Sequence, residues 1–343
     1  MKYIKWPFRI AGRRVIKTAL AVFLTSFICQ LLDWPAVFAV ITAIITIEPT
    51  VASSIKKGLI RFPASAIGSG YAVLFIYFFE DSPLTYTLAA LCTIITCYRL
   101  GLHVGLLVAT LTSVAMIEVI HTNLLFSFII RLGTTTIGLI VSTLVNMFVL
   151  PPNYTKTIST NLEGLLKKTG EELEMIMKQL IMKDGMTNKR EIEKRFADLR
   201  VTLNKTEKLL EFQEGEAKYH HLDTETKKLF AQEKRALTQF RLVHYHIGNL
   251  LNTPINSVCW SRSECQDIVK MVETLVSFMK HPDDYKASAY RQQVKVLMNQ
   301  FWESKRPQNK TEGSLFTPEI IILYELLSIY NLIEEILKKK DQI

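Results

Sequence analysis

Two acid–base pairs at one spacing are the residues best placed to do chemistry. Arg61 follows Glu48 by thirteen positions, Arg131 follows Glu118 by the same thirteen, and the second pair stands 70 residues after the first. All four lie in strongly apolar sequence, where a carboxylate is costly unless it is paired or wetted. Each glutamate is therefore a candidate proton carrier or gate, or else an interfacial anchor or the partner of its arginine. An arginine brings a planar fork that matches a carboxylate and stacks on aromatic faces, so Arg61 and Arg131 are candidate contacts for an organic acid. Thr42 and Thr112 stand six residues before the glutamates, about two helical turns at 3.6 residues per turn. Gly68 and Gly138 stand seven residues after the arginines, where tight helix packing is the favoured role. The hydroxyls of Thr134, Thr135 and Thr136 suit either a ligand or their own helix.

These residues are positioned by a repeat. Leu32 to Ile76 overlies Leu102 to Asn146 without a gap, and the identities include Ala39/Ala109, Thr42/Thr112, Ile47/Ile117, Ile60/Ile130, Ile67/Ile137 and Leu74/Leu144. Apolar coincidences come cheaply. Charged ones do not, because residues 1–150 hold only 11 basic and 5 acidic side chains, so a duplicated unit is the reading.

Composition changes near Leu150. Of 41 basic and 32 acidic residues, 30 and 27 fall after that point, which predicts a lipid-facing first part and a water-facing second one. The net charge of +9 divides into +6 and +3. Its excess sits at the ends of apolar segments, and the second part interleaves both signs, so a nucleic-acid partner is not expected. Five cysteines have no metal-like spacing and read as reduced, buried thiols. A basic start before an apolar run resembles a secretory leader, but Leu31-Leu32-Asp33-Trp34 offers no cleavage site and further apolar segments follow.

Six apolar segments can be marked: 15–32, 35–47, 62–79, 84–98, 102–117 and 125–150. The second of each trio is short and ends at the repeated glutamate, and paired short segments at matching places point to a transporter's central site. Lys2, Lys5, Arg9, Arg13 and Arg14 precede the first segment and Lys17 lies at its start. Lys56, Lys57 and Arg61 read as the loop after the second, and Arg99 follows the fourth. The alternate loops carry Asp33, then Glu80 and Asp81, then His121, which predicts six spans with both termini in the cytoplasm. Trp6 and Trp34 suit the interface. Three spans per copy require the second copy to enter from the opposite face, as an inverted repeat. Arg131 is then expected toward the outer side, so the two arginines mark an anion path.

The expected fold is all-α: a six-helix transmembrane domain over 1–152, with repeat units 15–79 and 84–150, then a cytoplasmic helical bundle over 153–343. Pro151-Pro152 ends the last span. Stripes of Leu162, Leu166, Thr169, Leu173, Ile176 and Leu180, of Ile192, Phe196, Leu199, Leu203, Thr206 and Leu210, and of Leu229, Ala236, Phe240, Val243, Ile247 and Leu250 predict antiparallel or coiled-coil packing. Helices follow around Glu264–Lys280 and Tyr285–Trp302, and Thr317-Pro318-Glu319 starts the last. The polar run from Lys305 to Ser314 reads as a loop. His220-His221 and His244/His246 do not share a helix face at ligand spacing, so no metal is expected. No phosphate-cradling loop or nucleophile elbow is present, so no cofactor and no enzymatic activity are expected.

Arg14-Val-Ile-Lys17-Thr18-Ala-Leu-Ala, Trp34-Pro-Ala-Val37 running into Ala39-Val-Ile-Thr42-Ala-Ile, and Gly58-Leu-Ile-Arg61 with Ile67-Gly68 resemble the aromatic acid exporter superfamily. Within it the likeness is to bacterial proteins with one membrane unit and a helical C-terminal domain, and more distantly to fusaric acid resistance proteins and plant aluminium-activated malate transporters. The resemblance covers residues 10–150 and implies passage of organic anions by a homodimer in a bacterial plasma membrane. Where that pattern often has Gly-Thr before its Ile-Gly, this chain has Ala64-Ser65 and Thr134-Thr135. The combined expectation is export of aromatic or other organic acids, with Arg61 and Arg131 attracting the carboxylate, Lys17 and Arg14 at the cytoplasmic end, and Glu48 and Glu118 coupling protons. The alternatives are a passive anion channel in a dimer and a membrane-anchored scaffold or sensor acting through its tail.

Overall fold

The computed structural model describes residues 12–118, 123–182, 189–219, 223–253, 260–304 and 317–338, and among them there are helices and no strands. Lys2, Lys5, Trp6, Arg9, His121, His220-His221 and the Lys305 to Ser314 run lie outside the described residues. The helices are α1 (Arg13–Leu31), α2 (Ala36–Thr46), α3 (Val51–Phe79), α4 (Pro83–Arg99), α5 (His103–Ile117), α6 (Leu124–Phe148), α7 (Thr155–Met182), α8 (Lys189–Ala217), α9 (Thr224–Asn252), α10 (Arg262–Lys280), α11 (Ala287–Ser304) and α12 (Pro318–Lys338). They fall into two compact units. One comprises Met1–Asn153 with Phe212–His221, and the other Tyr154–Glu211 with Leu222–Ile343.

Three helices of the first unit, α1, α3 and α6, are long and apolar enough to cross a membrane, while α2 and α5 are apolar but shorter. At 1.5 Å per residue α2 reaches only about 16 Å, roughly half a hydrocarbon core. The start of α3 departs from the sequence expectation. Lys56, Lys57 and Arg61 do not form a loop after α2; they lie in the first three turns of α3, which begins at Val51 behind a Thr50 cap whose hydroxyl accepts from the Ser53 N–H. Polar Ser53, Ser54, Lys56 and Lys57 interrupt the apolar run and hide eleven helical residues from a hydropathy reading.

Packing in this unit is reciprocal. Helix α3 lies on α5 as α2 lies on α6, α3 meets α4 as α6 meets α1, α1 meets α2 as α4 meets α5, and α3 and α6 touch each other. The repeated glycines stand at matching crossings: a methyl on Gly68 would strike the carbonyl oxygen of Ala109, and one on Gly138 that of Ala39. Only hydrogen lets the backbones approach this closely, so the packing role holds for both.

The radial distribution of side chains in this unit is the reverse of a water-soluble domain. Large apolar groups such as Phe23, Leu59, Leu107, Leu125 and Phe148 are exposed, whereas the interior is filled by alanines and by Thr25, Thr46, Ser54, Ser69, Thr93, Ser113 and Ser142. Several of these hydroxyls donate to the carbonyl a turn earlier, as Thr46 does to Thr42 and Ser142 to Gly138, which satisfies them without a tertiary partner. Such a surface suits hydrocarbon.

The second unit has an ordinary apolar core drawn from α7 to α12, including Leu173, Ile176, Leu199, Val243, Ile247, Leu275 and Tyr330. Thr169 and Thr206 are buried on their stripes, and Thr206 accepts from Asn161 Nδ2 across helices at 3.3 Å. Ser261 and Glu264 cap α10 reciprocally.

Candidate functional site

The turn between α2 and α3 gathers one polar cluster. Glu48 ends the apolar run of α2, and the cap at Thr50 turns the chain so that α3 passes back beside it. Its carboxylate accepts from Arg61 Nη2 at 2.9 Å and from Lys57 Nζ at 2.8 Å. Arg61 also donates Nη1 to the Ile45 carbonyl at 2.9 Å, meeting one of the acceptors left bare where α2 stops. Asn146, near the end of α6, donates Nδ2 to the Glu48 carbonyl at 3.1 Å and to Ser54 Oγ at 2.9 Å. Ser54 in turn donates to the Thr46 carbonyl at 2.8 Å. Lys17 is buried within α1 and donates to Asn146 Oδ1 at 2.8 Å and to its carbonyl at 3.1 Å. One network thus ties α1, α2, α3 and α6 together, and Lys17, Glu48 and Arg61 belong to it.

A second cluster surrounds Arg131. This side chain is 2% exposed, donates Nη1 to Thr135 Oγ1 at 2.6 Å and Nη2 to Ser65 Oγ at 3.1 Å, and lies 4.3 Å from the centre of the Phe38 ring. Its Nε has no hydrogen-bond partner, and among the described residues no ion pair reaches it. Glu118, the residue repeated from Glu48, is exposed and instead accepts from the Tyr86 hydroxyl at 2.6 Å. The two copies therefore differ chemically: one arginine is neutralised by its glutamate and the other is not. Through its fork Arg131 reaches Ser65, one turn beyond Arg61 on α3.

The remaining candidates are not drawn into either cluster. Thr42 is buried and donates to the Phe38 carbonyl at 2.8 Å, and Thr112 is buried and donates to the Ala109 carbonyl at 3.1 Å. Arg14 is exposed a turn before Lys17. The sequence singled out Ser65 only as a departure from the family pattern, and Phe38 and Asn146 were not singled out as partners in these clusters. Ser65 could have been found as the counterpart of Thr135 at the 70-residue offset; a lone aromatic and a lone amide in apolar sequence carry no signal of their partners. Beside these clusters an open groove of about 460 Å³ runs between α3 and α6, walled by Gly58, Leu59, Phe62, Leu139 and Ile140 with Ser54 at its polar end.

A helical unit with lipid-type exterior, hydroxyl-rich interior and buried cations is the architecture of a polytopic membrane protein. Residues 9–149 match the family described as aromatic acid exporter family member 1, and the chain as a whole belongs to the UPF0421 family. Over nearly its whole length it is also similar to UPF0421 proteins: it is 43% identical over 327 residues to one from Oceanobacillus iheyensis, covering 94% of each chain. A UPF0421 protein of Bacillus cereus is 41% identical over 336 residues, covering 97% of this chain and 94% of the relative. One from Staphylococcus haemolyticus is 38% identical over 337 residues, covering 96% and 98%.

Proposed function

We propose that this protein exports aromatic or other organic acid anions across the bacterial plasma membrane, with Arg131 as the contact for the travelling carboxylate. The observation that carries this is the buried guanidinium held by two hydroxyls and a ring, with its Nε bare and, among the described residues, no acid paired with it. A cation in a dry interior is costly until an anion reaches it, and a guanidinium recognises a carboxylate through two parallel bonds. The reciprocal packing of α1–α3 and α4–α6 supports two inverted three-helix units crossing the membrane six times, and the basic residues around the start of α1 support both termini in the cytoplasm. The family resemblance adds a homodimer.

The test is flux of labelled benzoate and of aliphatic acids in proteoliposomes under imposed pH and voltage gradients. Arg131→Gln is expected to abolish anion flux while the protein remains monodisperse and folded; unchanged flux in that variant ends the assignment. A second reading, passive conduction, is favoured by Glu48, whose two oxygens are already committed to Arg61 and Lys57 and so are poorly placed to shuttle a proton. Flux that follows voltage with no proton gradient selects it over proton-coupled export through Glu48 and Glu118.

A further inference from the structure

The last turn of α8 belongs to the membrane unit, and it carries an anion of its own. Glu216 is 2% exposed, and its Oε1 accepts from the Val51 N–H at 2.6 Å, the first residue of α3. That N-terminus is the positive end of a helix dipole, which favours a carboxylate, and while Glu216 holds the Val51 N–H, Thr50 Oγ1 holds that of Ser53. The same first turn of α3 holds Ser54, which Asn146 Nδ2 reaches at 2.9 Å while its Oδ1 accepts from the buried Lys17 at 2.8 Å, so a buried cation stands one hydrogen-bonded residue away. The neighbouring Gly215 makes the fit close. A methyl there would lie 3.4 Å from Ala52 Cβ and 3.5 Å from Thr50 Oγ1. A carboxylate is thus seated where α3 starts, three residues from Glu48 and beside the network that holds Lys17, and it is supplied by α8 rather than by a solute.

We propose that Glu216 is a tethered plug: its carboxylate occupies an anion site made by the first turn of α3 beside the network that holds Lys17, and an organic acid must displace it to enter. This rests on the transport reading and extends it by giving the tail a task. While Glu216 is seated, α3 is pinned beside Glu48 and Arg61; when a free carboxylate replaces it, the turn between α2 and α3 is released. Every acid that competes shares one feature, a carboxylate, so the site senses the anionic group while the rest of the path reads the remainder of the molecule.

The full-length chain, with its five native cysteines replaced by serine, carries Ala52→Cys and Gly215→Cys. Their Cβ atoms would stand at about the 3.5–4.5 Å spacing that a disulfide requires. The expected result has three parts: the cross-link forms on oxidation, Glu216→Ala slows it severalfold, and millimolar benzoate slows it in the chain that retains Glu216. Benzoate flux in proteoliposomes is expected to fall severalfold on oxidation and to recover on reduction. A cross-link indifferent to both Glu216→Ala and benzoate overturns the plug, as does equal flux in the oxidised and reduced states. If neither state moves benzoate, the transport reading fails on its own account, and the plug then stands or falls on whether benzoate slows the cross-link.

Discussion

A buried charge is judged by what surrounds it, and the two arginines of this protein divide on that ground. Arg61 and Glu48 form a pair whose side chains are each about 10% exposed. Removing one partner strands the other, so Glu48→Ala is expected to destabilise the protein by about 3 kcal/mol, whereas Glu118→Ala at its exposed counterpart changes stability by less than about 0.5 kcal/mol. Thermal unfolding of the two variants in the same detergent checks the contrast. A different residue-scale effect arises in the bundle, where Glu233 is 4% exposed, neither carboxylate oxygen has a hydrogen-bond partner, and burial pushes its carboxyl up to about 7 from an ordinary 4.5. The folded state therefore holds a proton that the unfolded chain releases. Its favourable share is fully present below pH 4.5 and is lost as pH rises through about 7. Glu233→Gln is expected to stabilise the protein by up to about 3 kcal/mol at pH 8 and to leave it nearly unchanged at pH 4.5; melting curves at the two pH values decide it. Glu172 is likewise pushed up to about 7 by burial, partly offset by Arg195 at 3.9 Å.

At the scale of elements, close helix crossings fix what can be changed. Gly138 has the Ala39 carbonyl and Thr42 Cβ against it, while Gly70 on α3 faces open space. Gly138→Ala must separate α2 from α6 and is expected to cost about 1–3 kcal/mol, while Gly70→Ala is expected to be neutral or to stabilise by up to about 1 kcal/mol through helix propensity. Unfolding midpoints of the two variants test whether the crossing matters more than the residue type. The repeat was legible in the sequence because Glu48, Arg61 and Gly68 recur with Glu118, Arg131 and Gly138 in register. The length of α3 was not. Its first three turns carry lysines and serines that look like a loop, and they are helical because Thr50 caps them and Glu48 and Asn146 engage Lys57, Arg61 and Ser54.

At the scale of the whole molecule, the transport and scaffold readings predict opposite outcomes. The double variant Arg61→Ala with Arg131→Ala in the full-length chain is expected to lose anion flux. If activity survives it and depends instead on residues 153–343, the working part is the tail.

Composition and period alone determined that the described residues form helices, that the first 150 residues suit lipid and that Glu48, Arg61 and Gly68 recur at a constant offset, since these follow from local polarity and from register along the chain. The pairing of Glu48 with Arg61 was open to the sequence as one of two roles for that glutamate. Only the tertiary structure decided that Arg131 lacks such a partner, that Ser65 and Phe38 hold it, and that Glu216 reaches the start of α3. Those relations join residues 66, 93 and 165 positions apart, and which side chains meet across such distances is set by how close helices pack, which no local pattern encodes.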